Sequence, residues 1–250
     1  MSYYRFIGAY FSLLGILFLI VGHLVTGSVV HEAFGIACIV IGVTLILIPF
    51  EERWKATTKT LIYMLLDFYS NTERLLKELN LRKPAVYARV RVGDTDDVRL
   101  FISPSDKVNP PTVDVGGLIQ EEGGEFLLTL YPPGRALMTI ARDRDLLLPG
   151  EDISAIETAL SNLLVDYGEL CRGVSVGSAG EEIVVTLEGC LSELLEARKL
   201  FPRVSESLGS PYASLVASAV ALMTGRPVRV RAEEVSGDSV RVRLEVLEQA

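Results

Sequence analysis

The sequence predicts an α+β fold in three parts: a two-helix transmembrane hairpin at residues 1–50, an amphipathic connector helix at 51–83, and a cytoplasmic domain at 84–250. In that domain, helices form one layer and antiparallel β-hairpins the other. The chain opens with two uncharged apolar runs, continues with a helical spacing of apolar residues, and ends with two helix-and-hairpin units. A division of the domain into subdomains 84–150 and 151–250 stays open.

The two apolar runs are long enough to cross a bilayer. Residues 6–25 and residues 33–50 contain no Asp, Glu, Lys or Arg. A helix of about 20 residues spans the roughly 30 Å hydrocarbon core of a membrane. A cleaved signal peptide is disfavoured, because the first run is longer than the apolar region of a signal peptide and the second run follows it closely. We therefore expect a multi-pass protein of the cell membrane, with the lipid bilayer as a partner.

The distribution of basic residues predicts the orientation of this hairpin. Arg53, Lys55 and Lys59 follow the second run and Arg5 precedes the first, whereas the turn at 23–32 has neither Lys nor Arg. Cytoplasmic flanks of membrane helices carry the excess of Lys and Arg. Both termini are therefore expected in the cytoplasm.

Small residues recur on one face of each apolar run. Within lipid, helices associate where small side chains let their backbones approach closely. We expect these faces to pack the hairpin on itself, or alternatively to recruit another membrane protein. The predicted helix-packing residues are Gly8, Ser12, Gly15, Gly22, Gly35 and Gly42.

The connector segment has the pattern of an amphipathic helix. It lacks Gly and Pro until Pro84, and its apolar residues, such as Leu61, Leu65 and Leu75, share one face opposite charged residues that include Glu73. This helix is expected to dock on the protein's own sheet. Self-association through a short coiled coil is the alternative.

The first half of the large domain predicts a hairpin, a loop, a strand and a helix. Strands at 85–92 and 98–102 flank an acidic turn at 93–97, followed by a loop at 103–124 and a buried strand at 125–131. The turn Pro132-Pro133-Gly134-Arg135 then enters a helix at 136–144. Free backbone N–H groups at a helix start can hold an anion, so Gly134 and Arg135 are a candidate anion-binding site.

The second half contains a helix followed by a hairpin, twice. The first helix, 153–171, opens with Ser154 and Glu157 spaced as a capping box, and its hairpin has strands at 174–176 and 183–187. A short helix at 191–200 leads to the second unit. That unit begins with Ser210 as N-cap, has Pro211 at the first helical position, and ends its helix at Gly225.

The last hairpin, with strands 228–235 and 239–247, presents a charged face. A three-residue turn would pair Arg231 with Arg243, Arg229 with Glu245, and Glu233 with Arg241. A solvated surface of mixed charge explains this pattern. The functional alternative is a partner surface for phosphate or an acidic protein, formed by Arg229, Arg231, Arg241 and Arg243.

Composition narrows the classes of function. The net charge of −8 argues against nucleic acid as a partner. Cys38, Cys171 and Cys190 lack the spacing of a zinc site or disulfide framework, so reduced buried thiols and no metal are expected. No cofactor motif is present in the sequence. Abundant Arg and Glu hint at a thermophile, although GC-rich coding gives the same Arg bias.

Two segments resemble uncharacterised archaeal membrane proteins that combine a membrane hairpin with a cytoplasmic α+β domain. They are Tyr131-Pro132-Pro133-Gly134 entering a helix, and the helix-to-strand segment from Gly209-Ser210-Pro211 to Thr224-Gly225-Arg226-Pro227. The resemblance implies a location and an architecture, and it transfers no functional residues.

The sequence favours a membrane-anchored cytoplasmic module that binds a ligand or partner without catalysis, or a structural subunit of a membrane complex. The alternative is a membrane-tethered enzyme, for which Arg135, Asp143 and Asp145 would be the first candidates. A transporter is disfavoured because the two apolar runs contain no buried charge.

Overall fold

The computed structural model describes residues 3–248 except 27–28, 48–49, 106–107, 109, 113–115, 123–124 and 181. The chain forms two compact units, Met1–Tyr63 and Met64–Ala250. The fold is α+β, with helices and one eight-stranded antiparallel sheet.

The first unit contains two apolar helices. Helix α1 (Tyr3–Ile20) continues into a π-helical segment, Val21–Thr26, and α2 spans Val29–Leu47. The prediction of a ten-residue turn at 23–32 is therefore wrong, since helical hydrogen bonds extend into it from both sides. The predicted second span, 33–50, includes residues 48–49, which lie outside the described residues.

Glycines allow α1 and α2 to approach closely. A Cβ added to Gly15 would lie 2.6 Å from the carbonyl oxygen of Gly35, and one added to Gly42 would lie 2.6 Å from the carbonyl oxygen of Gly8. Ser12 lies beside Gly42 and donates its hydroxyl hydrogen to Gly8 O at 3.0 Å. Gly22 is also buried. Five of the predicted helix-packing residues therefore lie where these two helices meet: Gly8, Ser12, Gly15, Gly35 and Gly42.

Two helical stretches among the described residues have the length and apolarity to cross a membrane. They differ in burial: 17% of Phe6–Leu24 is buried within the chain, against 89% of Pro202–Thr224. The second stretch therefore lies in the core of its unit. Ala33–Thr44 is a shorter apolar helix.

Helix α3 (Phe50–Glu78) contains the boundary between the two units. The turn after this helix contains Asn80, whose φ is 50°, and in it the Leu81 N–H donates to Leu76 O at 2.9 Å and the Asn80 N–H donates to Lys77 O at 3.2 Å. These two bonds satisfy carbonyls that would otherwise end the helix unpaired.

The residues that form the buried face of α3 are shifted along the sequence by about one position from those predicted. Tyr69 and Leu76 are fully buried, and Glu73, which was expected on the solvated face, is 6% exposed. Its carboxylate accepts the Val204 N–H at 2.9 Å and pairs with Lys77 at 3.0 Å. A buried carboxylate is tolerated there because it satisfies a backbone donor at the start of another helix.

The strands of the sheet are β1 (Val86–Val92), β2 (Thr95–Ile102), β3 (Ile119–Glu122), β4 (Glu125–Leu130), β5 (Gly173–Ala179), β6 (Glu182–Glu188), β7 (Val228–Ser236) and β8 (Ser239–Val246). Their order in the sheet is β3-β4-β2-β1-β7-β8-β6-β5, and every neighbouring pair is antiparallel. Because β1 pairs with β7, the strands of residues 84–150 and those of residues 151–250 belong to a single sheet.

Five further helices complete the second unit. Helix α8 (Pro211–Thr224) is buried along almost its whole length and packs against β1, β2, β7 and β8. As predicted, Ser210 caps it by accepting the Ala213 N–H at 3.3 Å, and Gly225 ends it with a φ of 67°. The helices are α4 (Arg135–Asp143), α5 (Ile153–Ser161), α6 (Ser192–Leu200), α7 (Pro202–Leu208) and α8 (Pro211–Thr224).

Three local predictions for this unit are wrong. Strand β3 lies within the predicted loop, and α5 passes into a π-helical segment, Asn162–Tyr167, instead of continuing to 171. The capping box is absent, because Asp152 precedes α5 and Glu157 accepts the Val176 N–H at 2.7 Å instead. The Glu157 side chain, which the sequence pattern assigned to the cap of this helix, therefore bonds to the backbone of β5 instead.

Candidate functional site

Strand β2 places two charged residues in the interior of the second unit. Asp97 and Arg99 are separated by one residue and therefore project from the same face of the strand. Both are buried, with 7% and 3% of their surface exposed, because β2 runs between β1 and β4. Interior charges are costly unless they are paired, so their partners define the site.

Asp97 pairs with two arginines. One carboxylate oxygen, Oδ2, accepts Arg99 Nη1 at 2.5 Å and Arg135 Nη2 at 2.7 Å. The other, Oδ1, accepts the Val98 N–H at 2.8 Å. Burial acts to raise the pKa of Asp97, but hydrogen bonds from Arg135 and Arg99 lower it below its ordinary value. Asp97 is therefore ionised at neutral pH.

Tyr131 lies beside both guanidinium groups. The Arg99 Cζ is 4.0 Å from the ring centroid and the Arg135 Cζ is 4.3 Å from it. Arg99 also donates to the Tyr131 hydroxyl at 3.2 Å. Cations placed over an aromatic face are attracted by its negative charge density, so Tyr131 helps to hold both arginines in place.

The Pro-Pro-Gly turn directs Arg135 towards this cluster. Gly134 has a φ of 83°, and a Cβ at this position would collide with a methyl group of Leu215 on α8. The Arg135 N–H donates to Pro132 O at 3.1 Å as α4 begins. The sequence predicted a candidate anion-binding site at Gly134 and Arg135. In the structure, the anionic group beside Arg135 is the carboxylate of Asp97 in the same chain.

A cavity of about 310 Å³ opens next to the cluster. Arg99 and Thr129 supply polar lining. The Oγ1 of Thr129 is buried and has no hydrogen-bond partner among the described residues. Most of the lining surface is apolar, as in small-molecule sites, which combine apolar walls with a few polar groups. The lining residues are Phe68, Arg99, Gly116, Gly117, Leu118, Thr129, Leu130 and Tyr131.

The sequence pattern gave no indication of this site, because it placed Asp97 in the acidic turn at 93–97. The observed turn contains two residues, Gly93 and Asp94, since Val92 pairs with Thr95. Gly93 has a φ of 59°, which suits a tight hairpin turn. A shorter turn lengthens β2 and carries Asp97 into the sheet. The Gly93-Asp94 pair is typical of a two-residue hairpin turn, so it could have predicted the longer strand.

The candidate enzymatic residues do not converge in this structure. Arg135 is bonded to Asp97, whereas Asp143 is exposed and pairs with its neighbour Arg142 at 3.1 Å. Asp145 is exposed, with a φ of 55°. These three residues are not brought into one catalytic arrangement.

The arginines of the last hairpin have a different register from the one predicted. Arg229 does pair with Glu245, but a bulge between Val230 and Ala232 leaves Arg231 unpaired in the strand ladder and sets Glu234 opposite Arg241. The turn has two residues, Gly237 and Asp238, instead of three. A bulge inserts one residue into one strand, which shifts every later partner.

Side chains on this surface form ion pairs of mixed sign. Arg231 lies 2.6 Å from Glu245, and Arg243 lies 3.1 Å from Glu234. Each of these arginines is about half exposed, a setting in which ion pairs contribute little to stability. Arg241 is also exposed.

Cysteines and acidic residues do not gather into a metal centre in the described part of the chain. No group of three His, Cys, Asp or Glu residues there could hold a metal ion. Cys38, Cys171 and Cys190 are free and buried. Burial raises the pKa of the Cys190 thiol to about 12 and also raises that of Cys171, so both stay protonated at neutral pH.

Fold and site together define an α+β protein in which a buried arginine–aspartate cluster borders a small, mostly apolar cavity. The chain belongs to a family described as a domain of unknown function (DUF7982), whose model matches residues 1–246. That match includes both the apolar helices and the sheet. Searches of curated proteins and of solved structures returned no match.

Proposed function

We propose that this protein is a membrane-anchored cytoplasmic module that binds a small molecule without transforming it. The observation that carries the proposal is the cavity of about 310 Å³ beside buried Arg99. Its volume falls at the lower end of the roughly 300–1,000 Å³ range of small-molecule sites. Arg99 also places a charged group at the wall of a mostly apolar cavity, and small-molecule sites combine apolar walls with a few such polar groups.

The membrane anchor in this proposal is a hairpin of α1 and α2. Large apolar side chains on both helices are exposed, including Phe6, Leu13, Leu17, Phe34 and Val40. Continuous apolar surface of this kind is unfavourable in water and favourable in lipid. Close approach at Gly15, Gly35 and Gly42 supports packing of the two helices without a hydrophobic driving force.

In the proposed orientation both termini are cytoplasmic, as the basic residues after the second run favour. The unit 64–250 is then a two-layer cytoplasmic domain. Contacts of α8 with β1, β2, β7 and β8 support a helical layer on one face of the sheet, and the exposed arginines of β7 and β8 support a solvated opposite face. The likeness to archaeal membrane proteins is part of the same proposal.

Binding is favoured over catalysis by the state of the polar side chains. Ser214 and Ser218 of α8 are fully buried in the core, which closes their hydroxyls to a substrate. Asp97 is held by two arginines and so is poorly suited to accept a proton.

A thermal-unfolding assay of the full chain in detergent tests the binding role. The chain is heated with and without the small-molecule fraction of an extract from cells that naturally produce it. Ligand bound to the folded state should raise the midpoint of the wild type, because such binding stabilises by mass action. Leu118→Trp, which fills the cavity from an exposed position, should lose that increase.

Leu148→Trp is the matched control. Leu148 is also exposed and does not line the cavity, so this variant should respond like the wild type. If the extract raised the unfolding midpoint of both variants equally, the ligand would not bind in the cavity.

A further inference from the structure

Resting on the proposed binding role, we infer that the cavity takes a small neutral molecule with an apolar body about the size of two fused rings and one hydrogen-bonding group. Three features of the described residues point to this class of ligand. The hydrogen bonds of Arg99 concern its charge, the volume and walls of the cavity concern its apolar body, and the hydroxyl of Thr129 concerns its polar group.

Arg99 is the one charged side chain among the described residues that line the cavity, and the chain itself already engages it. Its Nη1 donates to Asp97 Oδ2 at 2.5 Å and to Val98 O at 3.3 Å. Its Nη2 donates to the Tyr131 hydroxyl at 3.2 Å. An ionised ligand would therefore leave water without a charged partner of its own, and burying an unpaired charge is costly. A neutral ligand avoids that cost.

The volume and the walls of the cavity determine the size of the apolar body. An apolar protein cavity of about 150 Å³ can hold a benzene molecule. The cavity of about 310 Å³ has roughly twice that volume, which is enough for two fused rings. Phe68, Leu118 and Leu130 supply apolar wall. Leu118 and Tyr131 are about half exposed, so a ligand can enter beside them.

Thr129 supplies a hydrogen-bonding group in the cavity wall. Its side chain lies on the same face of the sheet as that of Arg99, because Thr129 pairs with Phe101 and strand residues two positions apart share a face. Thr129 is 7% exposed, and its Oγ1 has no hydrogen-bond partner among the residues that the structure describes. An unsatisfied buried hydroxyl costs free energy that one polar atom of a ligand would recover, whether that atom donates or accepts.

Isothermal titration of the full chain in detergent, with indole as the probe, tests this inference. Indole is neutral, has two fused rings and carries one N–H donor. Indene has the same shape without the N–H, and indole-5-carboxylate adds a negative charge. We expect indole to bind with a Kd below about 1 mM, and indole-5-carboxylate at least about tenfold more weakly, because burial of its charge is not compensated. Each titration is repeated into the same detergent without protein, and the heat of uptake into micelles is subtracted.

Three variants locate the binding and its polar contact. Leu118→Trp fills the cavity and should weaken indole binding at least about tenfold, whereas Leu148→Trp, which lies outside the lining, should change it less than about twofold. Thr129→Val keeps the side-chain shape and removes the hydroxyl. It should weaken indole about two- to tenfold, the net effect of one hydrogen bond, and leave indene unchanged. It also supplies an independent test if Leu118→Trp does not fold.

Binding of indole-5-carboxylate as tight as that of indole would overturn the assignment of a neutral ligand. An equal effect of Thr129→Val on indole and on indene would overturn the assignment of the polar contact. Failure of indole to bind, or equal binding by the wild type and a folded Leu118→Trp chain, would overturn the inference outright. The extract assay then judges the binding role separately, since it does not depend on the identity of the ligand.

Discussion

Asp97 is the residue at which the buried polar contacts of the second unit converge. It accepts hydrogen bonds from Arg99, from Arg135 and from the Val98 backbone, although its side chain is only 8% exposed. Removing one partner of a buried ion pair leaves the other charge uncompensated, which costs more than the pair itself contributes. This asymmetry makes Asp97 the most sensitive charged position of the site.

Asp97→Asn is expected to lower the free energy of unfolding by roughly 3–5 kcal/mol at pH 7, because it breaks the buried ion pair between Asp97 and Arg99. Pulse proteolysis of the full chain across a denaturant series measures the change. Asp143→Asn is the control: the side chain of Asp143 is 63% exposed, so this substitution should change the free energy of unfolding by less than about 0.5 kcal/mol.

The pH dependence of this difference has a definite sign. The pKa of Asp97 in the folded chain lies below its ordinary value of 3.8, owing to the arginines that outweigh its burial. Its stabilising contribution is therefore fully present above that value and is lost as the pH falls below it. The gap between wild type and Asp97→Asn should narrow below about pH 4, and a gap independent of pH would contradict this account.

At the scale of single residues, the sequence predicts what depends on neighbours in the chain. Ser210, Pro211 and Gly225 were placed correctly because capping involves residues within one helical turn. Asp97 was misplaced because its partner Arg135 is 38 residues away and the turn before it is shorter than the acidic run suggested. Long-range pairing of this kind leaves no local periodicity.

At the scale of elements, the start of α4 depends on one glycine. Gly134 adopts a left-handed conformation at the end of the turn Pro132-Pro133 and lies against Leu215 of α8. Both features require the absence of a side chain. The sequence predicted a turn into a helix here, but the close approach of α8 could not be read from it.

Gly134→Ala is expected to destabilise the unit by about 2 kcal/mol or more, because left-handed φ costs an L-residue about 1–2 kcal/mol and the new methyl group adds a clash. Denaturant-dependent proteolysis provides the readout. Gly177→Ala, at an exposed position where a Cβ would meet nothing within 4 Å, should differ from wild type by less than about 0.5 kcal/mol. Similar losses in both variants would refute the role of Leu215.

The same long-range effects explain the other discrepancies between prediction and structure. The bulge at Arg231 changed the pairing of the last hairpin, and the bond from Glu157 to Val176 replaced a helix cap. The existence of these elements was predicted from alternation and capping signals, since those signals are local. Their registers and side-chain partners depend on contacts across the sheet.

At the scale of the whole molecule, one chain combines an apolar helical pair with a sheet-bearing unit. Strands from both halves of 84–250 join one sheet through β1 and β7, so the proposed binding cavity belongs to a single unit. The apolar helices were evident from composition, since charge is almost absent from the first 50 residues. The orientation proposed for them in a membrane is based on a few basic residues near the two runs.

Site-directed labelling in intact cells tests most directly the central claim that the sheet-bearing unit is held at the cytoplasmic face. Ser178→Cys introduces an exposed thiol in the second unit, against a background in which the natural cysteines are buried. Ser28→Cys places the same change between the two apolar runs, outside the described residues. A membrane-impermeant maleimide should label Ser28→Cys in intact cells, and Ser178→Cys only after lysis. Labelling of Ser178→Cys in intact cells would contradict the claim, as would recovery of the chain in the soluble fraction after alkaline extraction.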